Sequence, residues 1–348
     1  MGISRRHFNA ALGASIALPA FFARAATDEA HLKTLHAAAQ KEGELTWYVA
    51  HTTSEVAERM SQRFTQRYPG VRVNVVRTTA QVAYQRLNQD MKAGVANCDV
   101  FASTDLGHFV DLKQRKALMP YRPQSADLLD KRFQNIDPDA AYNVTGSNLI
   151  SMLYNTARVP AEKAPRSWKA LTDPAWKGQL SVGHPGFSGF VGTWLVQMVE
   201  LYGEDFIEAL AANQPQVGRS IIDTVTTVIS GERVASAGPV SLALMQKSRG
   251  NPIDVSYVDE GCVLMVLPSA IMANTQRPNA AKLWMEWAVS EDTARISAEE
   301  FNSPVLAGFP PREGVRPLAE IKTIQPTVKQ IIEGVPELTE VWRDAFGV

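Results

Sequence analysis

The chain has 348 residues, 45% of them apolar, with 35 basic and 36 acidic side chains and a formal net charge of −1. That length exceeds the roughly 250–300 residues one hydrophobic core ordinarily organises, so two lobes are expected, and without repeats or low-complexity tracts the chain is globular rather than solenoid, fibrous or disordered. The slightly acidic balance excludes nucleic acid, which needs a basic footprint, and two cysteines, Cys98 and Cys262, are too few for a four-cysteine metal site.

The first 25 residues read as an export signal. Arg5 and Arg6 precede an apolar run from Ala10 to Phe22, and the stretch "ARA" at Ala23–Ala25 offers small residues at the spacing a signal peptidase needs. The run is too short to span a bilayer. The paired arginines, Phe8 and Arg24 resemble a Tat signal; an ordinary secretion signal with two basic residues is the alternative. Removal near Ala25 takes away three arginines and no acid, moving the formal charge from −1 to −4. A periplasmic location follows, in which a bridge is permitted, yet the apolar flanks of Cys98 and Cys262 favour two separate buried thiols.

Next, "DEAHLKTLHAAAQKEGE" (28–44) has helical spacing and stops at Gly43. "LTWYVA" is a buried strand leading into "HTTSEVAERMSQRFTQRYPG", a helix capped by Thr52, Thr53 or Ser54 and ended by Pro69 and Gly70. "VRVNVVRT", "AQVAYQRLNQDMKAG" and "CDVFAST" continue as strand, helix and strand, giving βαβαβ, the pattern of a mostly parallel sheet covered by helices. A second lobe repeats the theme. "WKALTDPAWKGQLSVGHP" holds a helix, a turn and a strand; "FVGTWLVQMVELYG" is a helix; "VGRSII" and "RVASAG" are strands around the helix "DTVTTVISGE". "VSYVDEGCVLMVLPSAIMA" reads as a strand pair and "PNAAKLWMEWAVSEDTARIS" as an amphipathic helix. Strand-rich crossings near Tyr142–Tyr154 and Tyr257–Leu267 join the lobes twice, and doubly connected lobes hinge around a cleft. The expected division is 26–141 and 265–348 for lobe 1, with 142–264 for lobe 2.

In parallel sheets a ligand sits beyond the carboxyl ends of the strands, where loops meet helix starts. Three loops fit: His51–Ser54, Ser103–Asp105 and His184–Gly189. Each combines hydroxyl or imidazole groups with unpaired amides suited to an anion, although each taken alone also reads as simple capping. In "SVGHPGFSGFVGTW", Gly186 and Gly189 allow a ligand oxygen close to the backbone, while Ser188 and His184 add donors. Arg219 would supply a charged donor, or sit in a surface ion pair. The candidate contacts are therefore His51, Thr52, Thr53, Ser103, Thr104, His184, Ser188, Gly189 and Arg219. Trp47, Tyr48, Tyr84 and Phe187 lie near these loops as stacking surfaces or core.

Catalysis is not expected. "GFSGF" carries Phe190 where a nucleophile elbow needs glycine, and all six histidines lie at or before His184, so the serine, acid, histidine order of an α/β-hydrolase cannot be completed. No zincin, P-loop or dinucleotide motif occurs, so no cofactor and no resident metal are expected. His31 and His36, five apart on a helix, read as solvated.

The strand end "VAHTTSEV", the strand "DVFASTD", "NLISMLYNTARVP", the fairly specific "SWKALTDPAWKGQL", "SGE" and "NAAKLWMEWAVSED" together resemble extracellular solute-binding proteins of ABC importers, in the ferric-iron and phosphonate group. The resemblance spans nearly the whole chain after residue 25. It implies a type II periplasmic binding fold, two α/β lobes each a mostly parallel sheet flanked by helices, and delivery of cargo to an inner-membrane permease. Relatives contact solute or anion through loops that correspond here to His51, Thr52, Thr53, Ser103, Thr104, Ser188 and Gly189. Iron-binding members carry an adjacent tyrosine pair where this chain has Gly238, Pro239 and Val240, which offer no anionic oxygen. The expected cargo is a small organic anion, a phosphonate, phosphate ester or carboxylate, carried by a monomer. A ferric or other metal importer, an exported enzyme and a sensory binding protein are the alternatives.

Overall fold

The computed structural model describes residues 18–347, with side chains from Glu29 onward. The expected export segment lies outside the described residues, apart from the backbone of the first turns of α1 (Leu18–Glu42). The chain continues through β1 (Glu44–Val49), α2 (Ser54–Arg67), β2 (Arg72–Arg77), α3 (Ala80–Lys92), β3 (Val100–Ala102), α4 (Leu106–Gln114) and the short β4 (Leu118–Met119). It then crosses along β5 (Asn143–Asn155) into β6 (Leu180–Gly183), α5 (Gly189–Tyr202), α6 (Asp205–Ala212), β7 (Gln216–Gly218), α7 (Ile221–Ser230), β8 (Ala235–Pro239), α8 (Val240–Ser248) and β9 (Ile253–Ser256). It returns along β10 (Cys262–Met272) to α9 (Pro278–Ala288), α10 (Glu291–Glu299), β11 (Thr323–Ile324) and α11 (Val328–Phe346).

The strands lie in the order β2-β1-β3-β10-β5-β8-β6-β7, with β4 and β11 on β10 and β9 on β5. At one end β1 pairs parallel with β2 and β3, because helical crossovers return each strand in the same direction. At the other end β6 is parallel to β7 and β8. Between them the long β5 and β10 run antiparallel and are the two crossings. Every residue of β10 is buried, as expected of a strand covered on both faces. Its register with β5 shifts between Leu267 and Pro268, where proline has no N–H for the ladder.

One lobe's core stacks Trp47, Phe64, Trp284 and Trp287, with Trp47 and Trp284 ring centroids 4.7 Å apart. The other lobe packs around Trp168, Trp194 and Phe206. Truncating one such ring would leave a cavity costing about 3–5 kcal/mol. The C-terminal helix touches two cores: Ile331 joins a third cluster, with Phe101, Phe109 and Phe133, whereas Leu338 and Trp342 enter the second. Further along, α11 follows its apolar stripe across to α5, where Gly192 and Gly334 permit close approach to Val335 and Val196.

Several local expectations change. The helix in "WKALTDPAWKGQL" is two short 3-10 turns, Trp168–Thr172 and Pro174–Trp176, because Asp173 and Pro174 restart the chain. The strand in "VGRSII" stops at Gly218: the Ser220 hydroxyl and the Asp223 carboxylate form a capping box that starts α7 at Ile221. Cys98 and Cys262 are both free and buried. His31 and His36 are half-buried rather than solvated, since His36 Nε2 meets the Pro69 carbonyl at 3.0 Å and His31 faces Tyr121 and Glu286.

Candidate functional site

The carboxyl ends of β1, β2, β3, β6, β7 and β8 each deliver the chain to a helix start. Residues from five of these turns, with Thr104 from the sixth, line one cleft of about 750 Å³ including its open mouth.

On the first-lobe wall, His51, Thr52 and Thr53 follow β1, and Thr53 Oγ1 caps α2 by accepting the Val56 N–H at 3.3 Å. Burial, and secondarily the charge of Arg77, pull His51 down to about 4, so its imidazole is neutral at pH 7. Its Nδ1 is buried with no partner. Arg77, the last residue of β2, also lines the cleft and donates from Nε to the Thr52 carbonyl at 2.8 Å. Burial lowers the Arg77 pKa, and no carboxylate among the described residues pairs with its guanidinium. Thr79 is the N-cap of α3 yet makes no capping bond, and its Oγ1 is likewise buried and unpartnered.

Across the cleft, Ser188 is the N-cap of α5 without a side-chain capping bond. Ser220 begins α7, and Pro239 and Ser241 begin α8. Asn148, on the crossing strand β5, donates to Ser241 Oγ at 2.9 Å. The walls touch at Gly189, where an added Cβ would lie 2.7 Å from the Thr104 carbonyl carbon and 2.8 Å from the Asp105 nitrogen. Only glycine lets the two lobes approach this closely.

Of the nine residues expected from sequence, His51, Thr52, Thr53, Thr104 and Ser188 line the cleft. Ser103, His184, Gly189 and Arg219 do not line it: Ser103 and His184 are buried, Gly189 sits where the walls touch, and Arg219 is exposed. Fully buried Ser103 accepts the Asp105 N–H at 3.2 Å and lies 2.9 Å from His108 Nδ1. His108 Nε2 faces Asp105 Oδ2 at 3.5 Å, which ties the imidazole to both ends of the turn. The same residue types serve nucleophilic catalysis elsewhere. Here no substrate can reach Ser103, and the network holds the turn. His184, lowered mainly by burial, accepts the Gly186 N–H at Nδ1 and stabilises the second turn. Arg219 lies over the Phe187 ring at 5.0 Å, and of the four aromatic candidates only Phe187 faces the cleft. Trp47 and Tyr48 are core, and Tyr84 stacks on His108 at 4.0 Å between ring centroids.

Arg77, Thr79, Asn148, Ser220 and Ser241 were not anticipated. Arg77 and Thr79 flank the end of the alternating run "VRVNVVRT", so the strand-end rule applied to β2 would have found them. The donor set does not suit a ferric ion. Glu300 is the sole carboxylate among the lining residues and is paired with Arg59, no tyrosine lines the cleft, and the described residues contain no cluster of three or more His, Cys, Asp or Glu.

Residues 97–320 match the family described as bacterial extracellular solute-binding protein. The fold is similar to the fructose-6-phosphate-bound periplasmic binding protein AfuA of Actinobacillus pleuropneumoniae, at TM-score 0.78 and 21% identity over 88% of this chain and 99% of that one. It is also similar to iron-bound HitA of Pseudomonas aeruginosa, at TM-score 0.75 and 17% identity over 87% and 99% of the two chains. Iron uptake protein A1 of Synechocystis is 21% identical over 306 residues, 79% of this chain and 80% of that protein. With more than half of its length matched, the chain belongs to the bacterial extracellular solute-binding proteins, and its α/β architecture around a cleft is the fold of the periplasmic binding proteins it resembles.

Proposed function

We propose that this protein captures a small organic anion, a phosphonate, phosphate ester or carboxylate, and releases it to its permease. The observation that carries this reading is Arg77, a half-buried guanidinium facing the cleft without a carboxylate partner. Leaving such a charge uncompensated is costly, whereas an incoming anion supplies both the countercharge and acceptors for the fork of donors. The helix starts at Thr53, Thr79, Ser188, Ser220 and Pro239 add partial positive charge around the same space. His51, Thr52, Thr53, Thr79, Thr104 and Ser188 complete the contacts; Ser103, His184, Gly189 and Arg219 shape the walls that carry them.

In this reading the lobes divide near 141–142 and 264–265 and close on the solute as a monomer, with the closed form recognised by the permease. The chain is exported through the twin-arginine route and cleaved near Ala25. Iron, the cargo of HitA according to its description, is disfavoured by the donor set. Native mass spectrometry of protein taken from its own periplasm is expected to show one co-purified anion. Arg77→Gln is expected to weaken calorimetric binding of that anion at least hundredfold. Unchanged affinity in that variant, or a charge-transfer band on adding ferric iron to the stripped protein, would overturn the reading.

A further inference from the structure

The two walls of the cleft differ in chemistry. Arg77, His51, Thr52, Thr53, Thr79 and Thr104 make the first-lobe wall polar. Facing them from the second lobe are Phe187, Phe190, Ile221, Ile222, Leu242 and Met245. Phe187, Ile222 and Met245 belong to none of the buried apolar clusters, and Phe187 is 36% exposed. Apolar side chains outside the packed cores on a concave wall mark a surface that another apolar group covers.

That wall offers three hydroxyls, on Ser188, Ser220 and Ser241, and two of them already accept a hydrogen bond while keeping the O–H to donate. Ser220 Oγ accepts the Ile222 N–H at 3.2 Å, and Ser241 Oγ accepts from Asn148 at 2.9 Å. Ser188 keeps a hydroxyl with no capping duty, beside the point where the walls touch. A cargo studded with hydroxyls would outnumber these three groups and lay the remainder against aliphatic carbon. Each hydroxyl left unpaired loses roughly ten- to a hundredfold in affinity. An apolar body gains affinity from the same surface.

We infer that the cargo is amphiphilic: an anionic headgroup held by Arg77 and the first-lobe hydroxyls, joined to an alkyl or aryl body that lies on the Phe187–Ile222–Met245 face. This rests on the anion reading above and sharpens it by excluding polyhydroxylated anions.

The test is calorimetry on stripped, refolded protein with two matched series. The first contains inorganic phosphate, glucose-6-phosphate, phenylphosphonate and hexylphosphonate; the second contains acetate, gluconate, benzoate and hexanoate. In the series whose headgroup binds, the aryl or alkyl member is expected to bind at least tenfold tighter than both the bare and the hydroxylated anion. An Ile222→Asn/Met245→Gln double variant, checked for an unchanged melting transition, is expected to shrink that preference about tenfold. Equal or tighter binding of glucose-6-phosphate or gluconate overturns the amphiphile while leaving the anion reading intact, as does a preference the double variant does not alter. Binding of no member of either series overturns both.

Discussion

The turn after β3 and the turn after β6 are built from the same kinds of residue, serine, histidine and a helix start, yet they do opposite things. In the first, Ser103, Asp105 and His108 bond to one another and face inward, leaving Thr104 to line the cleft. In the second, His184 takes the Gly186 N–H and holds the turn, while Ser188 is left free of capping and faces the cleft. A hydroxyl's role is decided by whether a neighbour already satisfies it. Residue type alone would rank Ser103 and Ser188 as equals.

Substitutions can break that comparison. The largest effect is expected at Ser188→Asp, which places a negative charge where the proposed anion would sit. Affinity should fall at least hundredfold with the melting temperature unchanged, and calorimetry showing native affinity would remove this turn from the site. Gly189→Ala comes next. Its methyl meets the Thr104 backbone only when the lobes touch, so about a tenfold loss of affinity is expected with no loss of ligand-free stability. Small-angle scattering should show the liganded variant less compact than the liganded wild type; identical profiles would mean that the contact does not limit closure. Ser103→Ala should have the smallest effect on binding, within about threefold. It should lower unfolding stability by about 1–3 kcal/mol, because it strips the partner from a buried imidazole nitrogen. A denaturant titration separates the two outcomes, and a binding loss as large as that of Ser188→Asp would erase the distinction between the turns.

Much of the first lobe was legible. Strand alternation in "VRVNVVRT" and the Pro69–Gly70 stop need only local information, and β2 and α2 lie where those signals put them. Boundaries failed where a local signal was outweighed or overlooked. The β-branched "SII" suggested a strand, whereas Ser220 and Asp223, at capping-box spacing, start a helix there. Arg77 went unnoticed because what sets it apart is a missing carboxylate partner, and a missing partner has no sequence signature. The apolar wall was hidden for a related reason: Ile222 and Met245 have the composition of core residues, and only their position outside every packed cluster sets them apart.

Periodicity, capping residues and glycine or proline punctuation by themselves determined the alternation of strands and helices, the double crossing, and with these the kind of fold, because those signals act over a few residues of chain. Which side chains face the cleft, and which are already satisfied, was decided only in three dimensions. Arg77 meets the Thr52 carbonyl, Asn148 meets Ser241, and Gly189 meets Thr104 across wide separations in the chain. A hydrogen-bonding group becomes available to a ligand only after the fold has assigned every other partner.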